Sequence, residues 1–426
     1  MSGFEIARSW LPRPGKTEAD ATLARLHIQI EDKSVSDFLD SREQKHSLEI
    51  PAYYLAEWVA ENWWPLLWEP KKSEDAVFDA AFVRRHSFLA AQRGFALPDV
   101  QIVSVGKSVE VSAAARTSDL AKVRFFNRAS ASLDRKEVEK VLRQFIEGVV
   151  ARLEEAHIAD SFLQAAWALI SSTDEEEALF CRLAGALGIS PYEISEPIAE
   201  LFERLEVTLG AKVLLDLCQV ATIEDFPEMA KVTEQAVALT KNAPTSTLSP
   251  LSTFKMPSDN VNAVAHRYGV RTADYLRRQL GIKDTDPNGA TKIFEKLHVD
   301  PKNRVLQKHT DFDEASVTGA VVRHDDEMQI ALLQETETKR RFSAARAIFS
   351  AWSAEDNESM LLTSAVTRDQ QANRAFAAEL TCPLAIVRSK AKSGRLTSSA
   401  ISDLVAELHI GADVVRKRAT DNGIHV

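Results

Sequence analysis

Two stretches near the carboxyl end of the chain decide how its last third folds. They read "RRFSAARAIFSAW" (residues 340–352) and "RDQQANRAFAAELTCP" (residues 368–383). Apolar side chains recur in both at intervals of three or four residues, which is the period of a helix with one apolar face. The positions concerned are Phe342, Ala345, Ile348, Phe349 and Trp352 in the first stretch, and Ala372, Phe376, Ala377 and Leu380 in the second. The sequence therefore predicts two packed helices here.

Composition places the chain among soluble globular proteins. It has 426 residues, of which 45% are hydrophobic and 27% charged, and a length that favours two or three domains. The formal charge of -10 argues against a nucleic-acid footprint over the whole chain, although it leaves room for one basic face. We find no apolar run of about 20 residues and no signal peptide. We therefore expect a cytoplasmic protein with no membrane association.

Cysteine spacing predicts neither a disulfide framework nor a zinc site. The chain has three cysteines, far apart in sequence, and no CxxC pair. Cys181 and Cys218 lie in apolar helical contexts, so we expect buried thiols there.

The texture of the sequence changes twice, and we interpret this as three modules. We predict an α+β protein that is predominantly α-helical. A small N-terminal α/β module occupies residues 1–115, a helical module residues 116–245, and a third module residues 255–426. The segment "KNAPTSTLSPLSTFKMPSDN" (residues 241–260) is rich in Pro, Ser and Thr and is the best linker candidate. Asp134 is placed to cap a long amphipathic helix.

Histidine spacing excludes the commonest helical zinc site. That site needs two imidazoles at positions i and i+4 of one helix, with a glutamate between them as base for the metal-bound water. None of the ten histidines has a partner at i+3 or i+4. The sequence therefore contains no HExxH motif.

The two opening stretches nevertheless resemble the ImmA/IrrE-type metallopeptidases. The pattern in that family is Arg-Phe-x-x-Ala-His-Glu-x-x-His, followed by Glu-x-x-Ala-Asn-x-Phe-Ala-Ala-Glu-Leu-x-x-Pro. Here "ANRAFAAELTCP" matches the second part well. The stretch "RRFSAARAIFSAW" matches the first part only in the Arg-Phe-x-x-Ala that precedes the metal-ligand positions. The resemblance covers about residues 320–426 and implies a metallopeptidase-like, zincin-type module.

Carried over residue by residue, the resemblance implies a module without its metal site. The first histidine falls on Arg346, the catalytic glutamate on Ala347 and the second histidine on Ser350; the acidic third ligand falls between Asp369 and Gln371. A guanidinium cannot ligate zinc and alanine cannot accept a proton. We therefore expect no metal and no cofactor at these positions.

The resemblance and the remaining motifs leave open three functions that differ in class. Family members act in mobile-element control, stress regulation and phage defence, so the first is a non-catalytic scaffold, sensor or regulatory subunit that binds a partner protein in a bacterial setting. The second is a metallopeptidase with a non-standard site, for which the run His324–Glu327 ("HDDE") is a candidate. The third is a DNA-binding regulator.

Arg346 has two interpretations of its own. Its charge could replace that of the zinc and bind an anion, supported by Arg340, Arg341 and Arg374. Alternatively it is a helix-surface arginine paired with Glu379 or Asp369, which is the interpretation that we favour.

Two further segments offer surfaces for a partner. Four tryptophans, Trp58, Trp63, Trp64 and Trp68, could stack on bases or anchor an interface, but they are equally suited to a module's core, which we favour because the neighbouring charges are acidic. The segment "SSAISDLVAELHIGADVVRKRA" (residues 398–419) has a helix–turn–helix rhythm, and a DNA reader would place Arg416, Lys417 and Arg418 in a groove.

Overall fold

The computed structural model describes residues 3–12, 15–41, 43–72, 79–115, 122–259, 264–302 and 316–426. The protein is mixed α+β, with 51% helix and 19% strand, which confirms the predicted α+β class. Among the described residues, no helix is long and apolar enough to cross a membrane. The chain forms two compact units. The boundary between them lies between Ala199 and Glu200, except that Lys72 belongs to the second unit.

The first unit combines small antiparallel sheets with helices. Its elements are β1 (Phe4–Trp10), α1 (Glu18–Ala21), β2 (Leu23–Ile30), β3 (Lys33–Ser34), β4 (Phe38–Asp40), β5 (Glu43–Lys45), β6 (Leu48–Pro51), α2 (Ala52–Glu61), α3 (Trp63–Trp68), α4 (Ala80–His86), a 3₁₀ turn (Phe88–Ala91), β7 (Asp99–Ser104), β8 (Ser108–Ala114), β9 (Val123–Phe125), β10 (Ala129–Asp134), α5 (Arg135–Glu155), α6 (Phe162–Ser172) and α7 (Glu175–Leu187). The sheets run β1-β2-β3 with β6 beside β2, β10-β8-β7, and β5-β4-β9.

Helix α5 explains why the first unit extends well past the predicted boundary at residue 115. Asp134 caps it as predicted, its carboxylate accepting a hydrogen bond from the backbone N–H of Lys136 at 2.8 Å. The apolar stripe of α5 packs against β1 and α2, so the helix completes the core of the strands before it. Residue 116, where the second module was predicted to begin, lies outside the described residues. Every member of the stripe is buried: Val138, Leu142, Phe145, Ile146, Val149 and Leu153.

The second unit is built on one four-stranded antiparallel sheet. After a 3₁₀ turn (Pro191–Glu193) and α8 (Glu196–Leu209), in which the boundary between the units falls, come α9 (Ala211–Cys218), α10 (Phe226–Thr240), β11 (Thr245–Thr247), α11 (Ser249–Ser252), α12 (Ala265–Gln279), α13 (Gly289–Lys296), β12 (Val317–His324), β13 (Glu327–Leu332), α14 (Glu337–Ser353), β14 (Ser359–Thr363), α15 (Arg368–Thr381), α16 (Leu384–Lys390), α17 (Ser398–Leu408) and α18 (Ala412–Thr420). The strand order is β11-β13-β12-β14.

The Pro-rich segment predicted as a linker contributes an edge strand to this sheet, Thr245–Thr247, which corrects the sequence prediction. Thr245–Thr247 pairs with β13 as an edge strand, with Ser246 opposite Met328. Helices α9 and α10 pack on β14, β12 and β13, so helices assigned by sequence to the central module cover the C-terminal sheet. A composition rich in Pro and Ser is typical of linkers, but it also suits a short edge strand.

Helices α12, α14 and α15 form the layer that holds the candidate site. Gly269 of α12 lies directly against α15: a Cβ at this position would stand 2.1 Å from the carbonyl oxygen of Ala372. Only a glycine permits this separation between the two backbones. The last three helices, α16 to α18, share a separate apolar core.

Candidate functional site

Helix α14 is buried on every side, although its sequence reads as amphipathic. It begins at Thr336, whose hydroxyl accepts a hydrogen bond from the N–H of Lys339 at 3.4 Å. All residues from Ser343 to Ala351 are buried. Small side chains such as Ala344 and Ala347 let neighbouring elements approach from several directions, and β12, β13, β14 and α15 all pack against this helix. The positions of the resembled metal ligands therefore lie in the interior.

Arg346 extends from α14 into a set of oxygen atoms contributed by three other elements. Its Nε donates to Asn373 Oδ1 at 2.8 Å, and Nη1 donates to Thr318 Oγ1 at 3.1 Å. Nη2 donates twice, to the carbonyl oxygen of Thr363 and to Gln370 Oε1, both at 2.7 Å. The guanidinium thus joins α14 to α15, β12 and β14, and only 3% of the residue is exposed.

The charge of Arg346 has no carboxylate partner among these contacts. All four acceptors are neutral oxygens, from two amides, a hydroxyl and a peptide carbonyl. Burial, and then the like charge of Arg374, lower the pKa of Arg346 well below its ordinary value. Since each contact is an acceptor, the geometry fits the protonated guanidinium, which has only donors.

This arrangement overturns both interpretations of Arg346 drawn from the sequence. It is not a surface arginine paired with Glu379 or Asp369, because Glu379 forms an ion pair with Arg418 and Asp369 is exposed. Nor is it an open anion site, because four of its five N–H groups already bind protein oxygens. A helical pattern cannot show that a charged residue faces neutral acceptors from strands far away in sequence.

The residues of α15 that meet Arg346 are Gln370, which lies within the range predicted for the third ligand, and Asn373, which the sequence interpretation missed. Gln371, the predicted third-ligand position, instead donates from Nε2 to the carbonyl oxygen of Val366 at 3.3 Å. The signal was available: residues 370 and 373 are three apart and share a helix face. Asn373 also donates from Nδ2 to Ser350 Oγ at 3.3 Å, so the carried-over positions 346 and 350 belong to one network.

Gln370 fixes the network to the sheet. Its Nε2 donates to the carbonyl oxygen of Leu361 at 2.8 Å, and its Oε1 accepts from the backbone N–H of Thr363 at 3.1 Å. The amide therefore binds β14 as a neighbouring strand would. Neutral amide and hydroxyl groups of this kind are poor ligands for Zn²⁺, which prefers imidazole, thiolate and carboxylate. Ala347, at the position of the catalytic base, contributes only packing.

The other three arginines do not form a contact face. Arg340 donates to the carbonyl oxygens of Pro301, Gln334 and Glu335 at 2.5–3.1 Å, and Arg341 donates to a threonine hydroxyl and lies over the ring of Phe294. Both are buried. Arg374 is half-buried and donates to the carbonyl oxygens that end β14. These interactions correct the proposal that residues 340–346 and 374 bind a partner or anion.

The run proposed for a non-standard metal site is an ordinary hairpin turn. His324 Nδ1 lies 2.8 Å from Asn357 Oδ1, and the backbone N–H of Asp325 donates to the carboxylate of Asp356. The hairpin itself was predicted, and β12 and β13 confirm it. Within the described ranges, no group of three or more His, Cys, Asp or Glu residues is placed to hold a metal ion.

Trp58, Trp63 and Trp64 belong to the core of the first unit, which confirms the interpretation favoured from the sequence and rules out the alternative of an open contact surface for these three. Trp58, Trp63 and Trp64 are at most 8% exposed. Trp63 packs edge-on against Trp167, with ring centroids 5.2 Å apart. Trp68 is partly exposed, and the guanidinium of Arg135 lies 3.6 Å from its ring centroid. These rings are covered by the protein's own side chains and are not open to a base.

The comparisons add no relative to this description. No family model, no curated protein and no solved structure matches the chain.

Proposed function

We propose that this protein acts by binding and not by hydrolysis, as a degenerate ImmA/IrrE-like pseudopeptidase. In this proposal it is a cytoplasmic scaffold, sensor or regulatory subunit in a bacterial stress-response, mobile-element or antiphage-defence system. The observation that carries the proposal is the position of Arg346. Its guanidinium fills the interior between α14 and α15, where the resemblance would place a metal, and four of its five N–H groups already donate to neutral protein oxygens.

The chemistry of the neighbours supports the same proposal. Hydrolysis of a peptide needs a nucleophilic water and a group that takes its proton. The nearest side chains of α14 and α15 are Ser350, Gln370 and Asn373, none of which is a base at neutral pH. A point substitution would not rebuild the site, because the amides of α15 are oriented toward a donor and not toward a metal.

Zinc binding tests the proposal directly. The purified full-length protein is equilibrated with zinc, separated from free metal, and analysed for metal per chain, with chelator-sensitive cleavage of a peptide library measured in parallel. We expect less than one tenth of a zinc per chain and no chelator-sensitive cleavage. One zinc per chain, together with cleavage that a chelator abolishes, would overturn the proposal.

A rebuilt variant provides the positive control. Arg346→His, Ala347→Glu and Ser350→His together restore the HExxH spacing on α14. We expect this triple variant to bind zinc more tightly than the wild type if it folds, as judged by circular dichroism. The zinc content of the wild type is measured independently of this variant. A triple variant that fails to fold therefore does not affect the test of the wild type.

A further inference from the structure

The last three helices form a small subdomain with its own apolar core. Helices α16, α17 and α18 pack together after α15 ends. Their shared core includes Leu404, Leu408, Ile410 and Val415, each at most 1% exposed. Residues 382–426 carry seven lysines and arginines against four aspartates and glutamates, whereas the whole chain carries -10. The charge of this subdomain is therefore opposite in sign to that of the protein.

Helices α17 and α18 are joined by a short turn with a defined backbone. Thr397 caps α17, and its hydroxyl accepts from the N–H of Ala400 at 3.2 Å. His409 follows the helix in the left-handed region, with φ of 53°, and Ile410 then returns to the core before α18 begins. A three-residue turn between two helices that share one core matches the connection of a helix–turn–helix motif, whose second helix presents its outer face to the major groove of DNA.

An ion pair fixes which face of α18 points outward. The guanidinium of Arg418 is buried and pairs with the carboxylate of Glu379 on α15. This corrects the sequence prediction that Arg418 enters a groove. The opposite face carries Asp413, Arg416, Lys417 and Thr420, all exposed and spaced at i, i+3, i+4 and i+7.

A basic turn lies beside the carboxyl end of α18. Lys392 and Arg395 are bridged through their backbones and are both exposed. The N–H of Leu396 donates to the carbonyl oxygen of His425 at 2.7 Å, and the N–H of His425 donates to the carbonyl oxygen of Gly394 at 3.0 Å. Residue 425 comes five positions after the last residue of α18, so this turn lies near the carboxyl end of that helix. The outer face of α18 and this turn are together called the basic surface.

We propose that this surface binds duplex DNA, with α18 in the major groove and the turn at residues 392–395 on the phosphate backbone. The outer face of α18 is charged and hydrogen-bonding, as a base-reading helix requires, and it lacks the apolar anchors that protein interfaces use. Of the acidic residues of α17, Glu407 is neutralised by an ion pair with Lys390 at 2.9 Å. The inference does not depend on the proposed loss of peptidase activity.

Fluorescence anisotropy of a labelled 24-base-pair duplex of mixed sequence tests the proposal with the full-length protein. At 50 mM salt we expect a dissociation constant in the range of about 1–100 µM. In a plot of the logarithm of the association constant against the logarithm of the salt concentration, we expect a negative slope that steepens by about 0.9 for each phosphate contact. Arg416→Glu, and Lys392→Glu with Arg395→Glu, should each weaken binding by about tenfold or more. Both changes are at exposed positions, and circular dichroism should show an unchanged fold.

A matched control separates a local surface from the net charge of the chain. Lys136→Glu with Lys140→Glu on α5 makes the same change in net charge as the double variant Lys392→Glu with Arg395→Glu, at exposed positions of the first unit. We expect it to change the affinity by less than about twofold, because neither side chain belongs to the proposed DNA-binding surface. No duplex binding up to 100 µM protein at 50 mM salt would overturn the proposal. So would an equal loss in the control, or tighter binding to a single-stranded RNA of the same sequence.

Discussion

Replacement of Arg346 asks whether the buried charge itself stabilises the second unit. Removal of the guanidinium in Arg346→Met breaks four hydrogen bonds but leaves fewer than four acceptor oxygens without a donor. Thr363 O keeps a donor in Arg374 at 3.2 Å, and Gln370 Oε1 keeps the N–H of Thr363. Asn373 Oδ1 loses its donor, which costs about 1–3 kcal/mol for a buried acceptor.

The opposing term is of similar size. Burial of a guanidinium without a carboxylate carries a desolvation penalty of several kcal/mol, which the methionine removes. Since methionine also fills most of the volume, we expect Arg346→Met to change the free energy of unfolding by no more than about 1–2 kcal/mol. Arg346→Lys keeps the charge but cannot reach four acceptors with one ammonium, so we expect a loss of about 3–5 kcal/mol. Arg346→Ala leaves a cavity and should lose about 2–5 kcal/mol.

Hydrogen exchange read by mass spectrometry suits this comparison. Six of the seven tryptophans lie in the first unit, so intrinsic fluorescence reports mainly the wrong part of the chain. Protection of amides in α14 and α15 gives the local unfolding free energy instead. The reasoning fails if Arg346→Lys is as stable as the wild type while Arg346→Met loses more than 3 kcal/mol. This result would show that the positive charge at position 346, and not the hydrogen-bond geometry of the guanidinium, stabilises the second unit.

Three further predictions test the packing and titration of the described residues. Gly269→Ala should lower the unfolding free energy by about 1–3 kcal/mol, measured by urea denaturation, because the new methyl group meets the carbonyl oxygen of Ala372 and forces α12 and α15 apart. Burial raises the pKa of Asp216, so the native state binds the proton of this carboxyl group more tightly than the unfolded chain does. The unfolding free energy of the wild type, relative to that of Asp216→Asn, should therefore rise as the pH falls from the raised pKa toward the ordinary value of 3.8. A difference between the two proteins that does not vary with pH would contradict this prediction. Thiol reagents at pH 8 should modify the native protein far more slowly than the urea-unfolded chain, because burial raises the pKa of each cysteine, to about 11 for Cys181 and about 12 for Cys382, and further for Cys218.

Local features of the fold could be predicted from the sequence because they depend on neighbours along the chain. The helices at residues 340–352 and 368–383, the hairpin of β12 and β13, and the cap at Asp134 all follow from spacing and capping. The buried thiols at Cys181 and Cys218 are likewise confirmed. These features need no knowledge of distant contacts.

The candidate site could not be predicted in the same way. Arg346 was assigned to the surface because arginine is rarely buried, and its acceptors come from residues 17 to 28 positions away. The division of the chain was missed for a related reason. Helices α9 and α10 read like the helices before them, and only their contacts with β12, β13 and β14 assign them to the second unit.

The hydrogen-bond geometry of Arg346 gives the buried guanidinium a role in specifying one arrangement of the surrounding elements. An aliphatic side chain would fill the same volume but would fit several registers of α14 against α15 almost equally well. The guanidinium has planar, directional donors, and they reach four acceptors on α15, β12 and β14 only when these elements lie in one arrangement. We therefore expect Arg346→Met to keep a similar unfolding free energy but to adopt more than one arrangement of α14 against α15. Its amide resonances from α14 and α15 should broaden or double in nuclear magnetic resonance spectra, whereas Gly269→Ala should shift them without adding a second set. A single sharp set of resonances in Arg346→Met would show that packing alone fixes the arrangement and that the arginine is dispensable for the fold.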